Sequence, residues 1–273
     1  MSGQLPDPVS LAGVVLAAGA GTRLRPLTLL RPKALCPVGN VPLVDLAIRN
    51  VTAHVSGVAV NLHYLRALLE EHLEGRVHLS VEEPEALGTA GAIGAMRDWI
   101  DGRGVLVHNA DAYLPGGVGR LLAGWDGTRP RMLVREEPEE ADFGRLRYLG
   151  VSLLPWRHAR RCQPVVSGLY PSVWLPAQAS GELDFVHYRG LAVDCGRPRD
   201  YLLANLDASG GASVIGAGAV VEGEVVRSVL WPGATVRRGE RLVEVIRAPV
   251  PGGPDVTVAA GPRDVSEPAT PAT

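Results

Sequence analysis

The sequence predicts an α/β fold, a mostly parallel sheet with helices on both faces, followed by a short parallel β-helix. Between residues 13 and 206, short apolar runs alternate with segments of helical periodicity, the order that parallel sheets require. After about Gly210, apolar residues recur at hexapeptide spacing beside small turn residues, which is typical of a parallel β-helix. A few ordinary strands with glycine turns are the alternative for this second segment.

The first half of the chain divides into four strands and three helices. We predict strands at Val14–Ala17, Gly57–Leu62, Val77–Val81 and Val105–His108, and helices at Leu43–Ala53, Tyr64–Leu73 and Thr89–Trp99. Because ligands of such sheets bind at the carboxyl ends of the strands, the residues that follow each strand are the functional candidates.

The later part of this region contains shorter pieces, which we interpret as an antiparallel excursion able to cover a substrate. Its predicted elements are β-like pieces at Leu146–Leu153, Val165–Tyr170, Leu183–Val186 and Leu191–Val193, then a helix over Pro198–Leu206. We therefore divide the chain into a flexible leader (1–12), an α/β domain (13–206), a β-helix module (207–248) and a tail (249–273). The tail is rich in proline and glycine, which predicts disorder.

Composition excludes several functional classes. The 27 basic and 29 acidic residues give a formal net charge of −2, and only 5% of residues are aromatic, so we expect no nucleic-acid partner. No apolar run approaches the roughly 18 residues of a membrane span. The three cysteines are too scattered for a disulfide framework or a zinc site. We expect a cytoplasmic protein with no membrane partner.

A glycine-rich segment, AAGAGTRLRPLT, follows the first predicted strand and begins at Ala17. Glycines at such a turn let backbone N–H groups approach a phosphate. Leu24 stands where a dinucleotide fingerprint needs its third glycine. Gly21 is followed by Thr22-Arg23, where a Walker A loop needs lysine and then serine or threonine. What remains is a phosphate loop with its own cation, Arg23. Ten residues later comes Lys33, the only lysine among the 27 basic residues.

The run from Val15 to Val38 resembles the signature of the sugar-1-phosphate nucleotidyltransferases, LAAGxGTRLxPLT followed by PKxxxPV. The resemblance implies a Rossmann-like nucleotidyltransferase domain and a left-handed form of the β-helix. It also implies a set of nucleotide-binding residues in this run: Leu16, Ala17, Ala18, Gly19, Ala20, Gly21, Thr22, Arg23 and Lys33. In the family the arginine binds the leaving pyrophosphate and the lysine contacts the reacting phosphates, so both are predicted to be catalytic.

A second matching segment is Leu87-Gly88-Thr89, which resembles the start of the family's LGTAGA element. The resemblance implies that this segment binds the nucleotide, with the glycine backbone reading the edge of the base. A helix start built from small residues for close packing is a compatible interpretation. The element is most similar to that of mannose-1-phosphate guanylyltransferases, which favours guanine.

Two aspartates follow apolar segments that also match the family in order. Asp111 ends VLVHNAD, where the family has N-G-D and this chain has Ala110. Asp194 begins DCGRPRDY, which resembles D-x-G-T-P-x-D-Y with Arg197 in place of threonine. The resemblance implies that both carboxylates hold Mg²⁺ against the phosphates, and it makes Asp111 catalytic.

The expected sugar-side element, E-K-P, is missing, and no second lysine exists to supply it. Gly168 and Tyr170 match the G-[IL]-Y strand of the family and are the predicted sugar-binding residues. Arg145, Arg147 and Arg157 are the candidates to replace the absent lysine.

These features predict an Mg²⁺-dependent enzyme that makes an NDP-sugar, GDP-mannose-like, and pyrophosphate from an NTP and a sugar 1-phosphate. The alternative is a catalytically weak paralogue that binds nucleotide sugars and regulates, which the missing E-K-P, Ala110 and Arg197 suggest. A hexapeptide acyltransferase is disfavoured because the repeat region has few coils and no histidine. The exposed coil ends of a short β-helix leave a homo-oligomer open.

Overall fold

A computed structural model describes residues 10–261, which group into two compact units. Within that range the first unit comprises residues 10–22, 31–36 and 41–194, and the second comprises 23–30, 37–40 and 195–261. The C-terminal segment of the second unit begins at Cys195, before the boundary predicted at 206, because the helix predicted at Pro198–Leu206 groups with this unit. Most of the predicted leader lies outside the described residues.

Short strands dominate the described part of the chain. They are β1 (Leu11–Leu16), β2 (Pro37–Val38), β3 (Val41–Pro42), β4 (Val58–Leu62), β5 (His78–Val81), β6 (Gly104–Asn109), β7 (Ala112–Tyr113), β8 (Arg131–Glu136), β9 (Leu146–Leu154), β10 (Asp184–His187), β11 (Val193–Asp194), β12 (Val214–Ile215), β13 (Val220–Val221), β14 (Glu224–Val226), β15 (Val229–Leu230), β16 (Thr235–Val236), β17 (Arg241–Val243), β18 (Val245–Ala248) and β19 (Val256–Ala259).

The α-helices are also short. They are α1 (Leu27–Leu30), α2 (Leu43–Thr52), α3 (Arg66–Leu73), α4 (Gly88–Ala95), α5 (Arg97–Ile100), α6 (Gly119–Leu122), α7 (Trp156–Ala159), α8 (Leu175–Ala179) and α9 (Pro198–Ala208). Single 3₁₀ turns occupy Thr22–Leu24, Lys33–Leu35 and Pro138–Glu140, and a π-helical turn occupies Tyr170–Trp174.

The first unit is built on a seven-stranded sheet with the order β10-β8-β9-β6-β1-β4-β5. β1 lies parallel to both β4 and β6, β4 is parallel to β5, and β10 is parallel to β8. Only β9 runs antiparallel, against β6 and β8. The predicted mostly parallel sheet with an antiparallel excursion is therefore confirmed.

Helices cover both faces of this sheet because side chains alternate along each strand. In β1, Val15 points into a cluster with Val44 of α2 and Leu69 of α3. Its neighbour Val14 points into a second cluster with Ile93 of α4. The near-continuous apolar runs of the strands follow from this burial on two sides.

The predicted helix over Thr89–Trp99 is two helices, α4 and α5, which part at Met96. A chain segment crosses α4 where glycines leave room: a Cβ on Gly91 or Gly94 would lie 2.3 Å from backbone atoms of Val165 or Gln163. The carbonyl oxygen of Ser167 accepts hydrogen bonds from the amides of Ala90 and Gly91, in the first turn of α4. The strand predicted at Val165–Tyr170 is therefore wrong, because this backbone pairs with a helix end.

Replacing Gly91 with alanine is expected to lower the free energy of unfolding by about 1–3 kcal/mol, the usual cost of overpacking. The new Cβ would lie 2.3 Å from the Val165 carbonyl oxygen, a backbone atom that cannot rotate away as a side chain could. Urea denaturation followed by circular dichroism measures the effect. Gly119→Ala is the matched control, since it starts α6 with nothing within 4 Å of its Cβ position. Equal stabilities for the two variants would contradict the packing argument.

The C-terminal strands of the second unit form three parallel ladders: β12-β15-β18, β13-β16 and β14-β17. Val214 pairs with Val229 and Glu224 with Arg241, so each turn of chain takes about 15 to 17 residues. A small apolar cluster, which includes Leu230, lies inside. This arrangement is compatible with the predicted parallel β-helix, and its left-handedness stays a prediction.

Residues 249–261 correct the predicted tail. Val256–Ala259 forms β19, which pairs antiparallel with β18. Its run of Val-Thr-Val has strand propensity that the proline and glycine content of the whole tail obscured. The rest of the predicted tail lies outside the described residues. Among the helices that the structure describes, none has the length and apolar character needed to cross a membrane.

Candidate active site

Two of the predicted functional segments start at one edge of the sheet. β1 ends at Leu16 and leads into the glycine-rich loop, and the neighbouring β6 ends at Asn109, two residues before Asp111. The amide of Ala110 donates to the Leu16 carbonyl oxygen at 3.0 Å, which holds the two strand exits together. The carboxyl ends of parallel strands are where such sheets bind ligands.

Lys33 and the two predicted metal ligands form one charged cluster. The Lys33 ammonium donates a hydrogen bond to the Asp111 carboxylate and lies 3.5 Å from Oδ1 of Asp194. The antiparallel ladder of β7 and β11 brings the aspartates together, since Asp194 pairs with Ala112. The Lys33 side chain is 11% exposed, against 29% and 36% for the carboxylates. The carboxylates are thus the more accessible part of the cluster.

The donor set of this cluster fits Mg²⁺. Two carboxylates and one ammonium leave a formal charge of −1, and Mg²⁺ in proteins is usually held by one or two carboxylates together with substrate phosphates and water. Within residues 10–261, no group of three or more Asp, Glu, His or Cys side chains is arranged to hold a metal ion. Asp111 and Asp194 are the carboxylates of this cluster that could hold such an ion.

The glycine-rich loop is open where a ligand needs space. No atom lies within 4 Å of the Cβ position of Gly19, and Gly21 adopts a left-handed φ of 59° that favours glycine. Thr22 and Arg23 are exposed in a 3₁₀ turn. Arg23 belongs to the second unit, and its pyrophosphate-binding role stays a prediction.

The predicted nucleobase segment is held by the chain that crosses α4. Gly88 has a left-handed φ of 71°, and a Cβ there would lie 2.6 Å from the Ser167 carbonyl oxygen. Thr89 accepts a hydrogen bond from the Leu169 amide at 2.7 Å. The close-packing interpretation of these small residues is therefore correct, and base reading stays a prediction.

The predicted sugar-binding residues lie beside this segment. The Cβ position of Gly168 is 3.9 Å from the Thr89 hydroxyl oxygen. Tyr170 starts a π-helical turn instead of lying in the strand that the family pattern implies, and its ring tilts against Phe143 at 5.3 Å. The structure therefore brings Gly168 next to the nucleobase segment.

The three candidate arginines differ in their exposure and in their carboxylate partners. Arg145 is 70% exposed and pairs with Glu136, and Arg157 on α7 pairs with Glu182. Arg147 is bound by Glu137 at 2.9 Å and Glu140 at 2.5 Å. Burial lowers the pKa of Arg147, but these two carboxylates and the charge of Asp194 outweigh it and raise the pKa. Arg147 is thus tied electrostatically to Asp194 as well as to its two carboxylate partners.

A further arginine, Arg135, also lies near the aspartate cluster. A search of the sequence for a lysine at the missing element does not find it. Arg135 donates to Glu137 at 2.6 Å and to the carbonyl oxygen of Ala192 at 3.4 Å, two residues before Asp194. Glu137 therefore bridges Arg135 and Arg147. All three come from the Arg-Glu-Glu-Pro segment or the strand paired with it, β9. The sequence does not reveal this arrangement because it depends on the register between β8 and β9, in which Arg135 pairs with Arg147.

Comparison with protein families matches residues 12–129 to the nucleotidyl transferase family. The matched range includes the glycine-rich loop, Lys33, the Leu87–Thr89 segment and Asp111. Over this range, which is less than half of the chain, the protein is similar to a nucleotidyl transferase domain. Asp194 and Arg147 lie beyond the matched range of this domain, although they belong to the same compact unit.

Relatives of the nucleotidyl transferase domain carry different substrate names. N-acetylmuramate alpha-1-phosphate uridylyltransferase of Caulobacter vibrioides is 38% identical over 129 residues, which cover 42% of this chain and 53% of that protein. The catalytic subunit beta of mannose-1-phosphate guanylyltransferase from Dictyostelium discoideum is 25% identical over 228 residues, which cover 70% of this chain and 63% of that protein. The chain thus spans less than two thirds of the length of each.

Solved structures support the fold of the nucleotidyl transferase domain. UDP-glucose pyrophosphorylase from Acinetobacter baumannii superposes with a TM-score of 0.59 at 17% identity, covering 72% of this chain and 93% of that one. A Bacillus anthracis structure with the provisional name glucose-1-phosphate thymidylyltransferase gives 0.64 at 17% identity, covering 73% and 95%. At this identity the likeness establishes the predicted Rossmann-like fold alone.

Proposed function

We propose that the protein is an enzyme that makes an NDP-sugar and pyrophosphate from an NTP and a sugar 1-phosphate. The observation that carries the proposal is the cluster of Lys33, Asp111 and Asp194 at the edge where the glycine-rich loop also begins. A cation and two carboxylates at the strand ends of a nucleotidyl transferase domain suit two phosphate-bearing substrates.

The proposed reaction places modest demands on proton transfer. A phosphate oxygen of the sugar 1-phosphate bonds to the α-phosphorus of the NTP, and the bond to the β-phosphate oxygen breaks, so that pyrophosphate leaves. The attacking oxygen is already anionic, so no general base is required. The protein has to align two polyanions and offset their repulsion, and catalysis then rests on positioning and charge stabilisation.

Each residue of the cluster has a part in that task. Lys33 presents a compact ammonium that reaches one crowded phosphate oxygen, which a planar guanidinium does less readily. Asp111 and Asp194 orient Lys33 and would hold Mg²⁺ together with phosphate oxygens. When bound, Mg²⁺ supplies charge neutralisation at the reacting phosphates. The glycine-rich loop offers backbone amides to the same anions.

The substrates are proposed at a finer level from the sequence pattern and the relatives. The similarity of the Leu87–Thr89 element to guanylyltransferases favours GTP, with mannose 1-phosphate as its partner. A relative named as a uridylyltransferase for N-acetylmuramate 1-phosphate makes UTP the main competitor. Both pairs belong in the first assay.

The test is pyrophosphate release by the full chain with Mg²⁺, four NTPs and a panel of sugar 1-phosphates. We expect one NTP and sugar pair to exceed the others by at least about tenfold, the discrimination that one well-placed polar contact provides. No pyrophosphate from any pair would overturn the proposal. Calorimetric binding of a nucleotide sugar without turnover would instead favour the regulatory paralogue.

Arg147 is proposed to bind the sugar phosphate in place of the missing lysine. Arg147→Met should raise the KM for sugar 1-phosphate by about 10- to 100-fold, the worth of a charge-assisted hydrogen bond, and leave the KM for NTP unchanged. Steady-state kinetics with each substrate varied separates the two constants. Arg145→Met, on an exposed arginine two residues away, is the control and should change neither. An equal rise in both KM values for Arg147→Met would contradict this role.

A further inference from the structure

A buried relay of hydrogen bonds joins the two predicted nucleotide-binding segments of the first unit. The amide of Ala17, where the glycine-rich loop begins, donates to Oδ1 of Asn61 at 2.7 Å. Nδ2 of Asn61 donates to Oε1 of Glu82 at 2.7 Å, and the amide of Leu87 donates to Oε2 of Glu82 at 2.7 Å. Asn61 is 3% exposed and Glu82 1%, so water does not replace these partners.

The polarity of this relay is fixed by its ends. Both ends are backbone N–H groups, which only donate. Asn61 must turn its oxygen to Ala17 and hence its amide nitrogen to the next residue. Glu82 must then accept on both sides, which an ionised carboxylate does and an amide cannot. Each residue type is therefore required by its neighbours in the relay.

The location of the relay points to ligand binding. Asn61 lies near the carboxyl end of β4, and Glu82 follows the last residue of β5, at the sheet edge where ligands bind. A buried carboxylate stabilises a fold less than a well-packed apolar side chain of similar size. The stability of the fold therefore gives little reason for a carboxylate at Glu82. A need to keep the Ala17 and Leu87 amides at a fixed distance gives a better one.

We propose that Asn61 and Glu82 are positioning residues that hold the glycine-rich loop and the Leu87–Thr89 segment at the separation that nucleotide binding requires. Neither residue needs to touch the nucleotide. The inference rests on the proposed function, because it takes both segments to bind an NTP. It adds two residues that no motif of the sequence analysis contained.

The test uses a swap that reverses the middle of the relay. Glu82→Gln places an amide donor against either Asn61 or Leu87, and Asn61→Asp places two carboxylates together. In the double variant N61D/E82Q, the carboxylate at position 61 accepts from Ala17 and from the amide at position 82, whose oxygen accepts from Leu87. The double variant thus keeps all three hydrogen bonds and moves the negative charge from position 82 to position 61.

We expect each single variant to bind NTP at least about tenfold more weakly by calorimetry, since each leaves a buried polar group unsatisfied. We expect N61D/E82Q to return to within about threefold of the wild-type Kd. Thermal unfolding reports folding in parallel. Asn205→Asp is the matched control: Asn205 is also fully buried and donates to the Tyr201 carbonyl oxygen, in the second unit. It should lower Tm and leave the Kd for NTP unchanged.

The outcomes separate this inference from the proposed function. A wild-type protein that binds no NTP removes the proposed function, and the positioning role with it. Wild-type binding with unchanged Kd in both folded single variants overturns the positioning role alone. A double variant that folds but binds no better than the single variants does the same.

Discussion

Replacing Lys33 with arginine should leave the protein folded and reduce kcat by about 10²–10³-fold, the usual cost of losing one group that stabilises transition-state charge. Lys33 is nearly buried between Asp111 and Asp194, so its ammonium is held at a defined point. A guanidinium keeps the charge, but its wider planar fork spreads over both carboxylates and no longer reaches one phosphate oxygen. Pyrophosphate release at saturating substrates measures kcat.

An arginine-to-lysine substitution outside the site controls for the effect of exchanging these two residue types. Arg145→Lys changes an exposed ion pair with Glu136 and should keep wild-type turnover. Thermal unfolding shows whether the Lys33→Arg protein is folded. Near-normal turnover of folded Lys33→Arg would make the single lysine of this arginine-rich chain a coincidence of composition.

Asp111→Asn is expected to reduce Mg²⁺-dependent turnover by a similar factor of about 10²–10³. The substitution removes the charge that binds Lys33 and one of the two carboxylates that suit Mg²⁺. Because an amide oxygen is a weaker ligand than a carboxylate, the Mg²⁺ concentration that gives half-maximal rate should rise. A titration of rate against Mg²⁺ at fixed NTP measures that shift.

Asp194→Asn should also lower turnover and raise the Mg²⁺ concentration that gives half-maximal rate, since Asp194 is the other carboxylate paired with Lys33. Asp126→Asn is the control, because Asp126 is exposed and bonds only within its own turn, to Thr128. The metal assignment fails if the Mg²⁺ dependence of Asp111→Asn matches that of wild type. Loss of rate in Asp126→Asn would show that the assay responds to surface charge.

The longer elements that precede Asp111 are predictable because each carries its own pattern; they are β1, β4, β5, β6, α2 and α3. Apolar runs mark β1, β4 and β6, and helical spacing marks α2. The segment around Val165 was missed because its partners are amides of α4, some 75 residues away, and no local pattern encodes such a pairing. β19 was missed for the same reason, since its partner β18 decides its conformation.

The site divides along the same line. Lys33, Asp111 and Asp194 stand out in the sequence because contiguous motifs contain them, and the structure brings their side chains together. Asn61 stands in an apolar strand, and a polar residue buried in such a run is the one local sign that could have drawn attention to it. Arg135 gains its meaning only from the register between strands that brings it to Glu137.

Because Lys33 pairs with both aspartates, we expect ligands to bind here by replacing existing ion pairs and not by simple addition. Under the proposed function, a divalent cation that binds Asp111 and Asp194 competes with Lys33 for the same carboxylates and makes its ammonium available to a phosphate. We therefore expect cation and nucleotide binding to be coupled, and by linkage the coupling is reciprocal. In the proposed enzyme, the ammonium of Lys33 offsets the charge of the two aspartates before substrate binds, and the same ammonium then contacts the reacting phosphate.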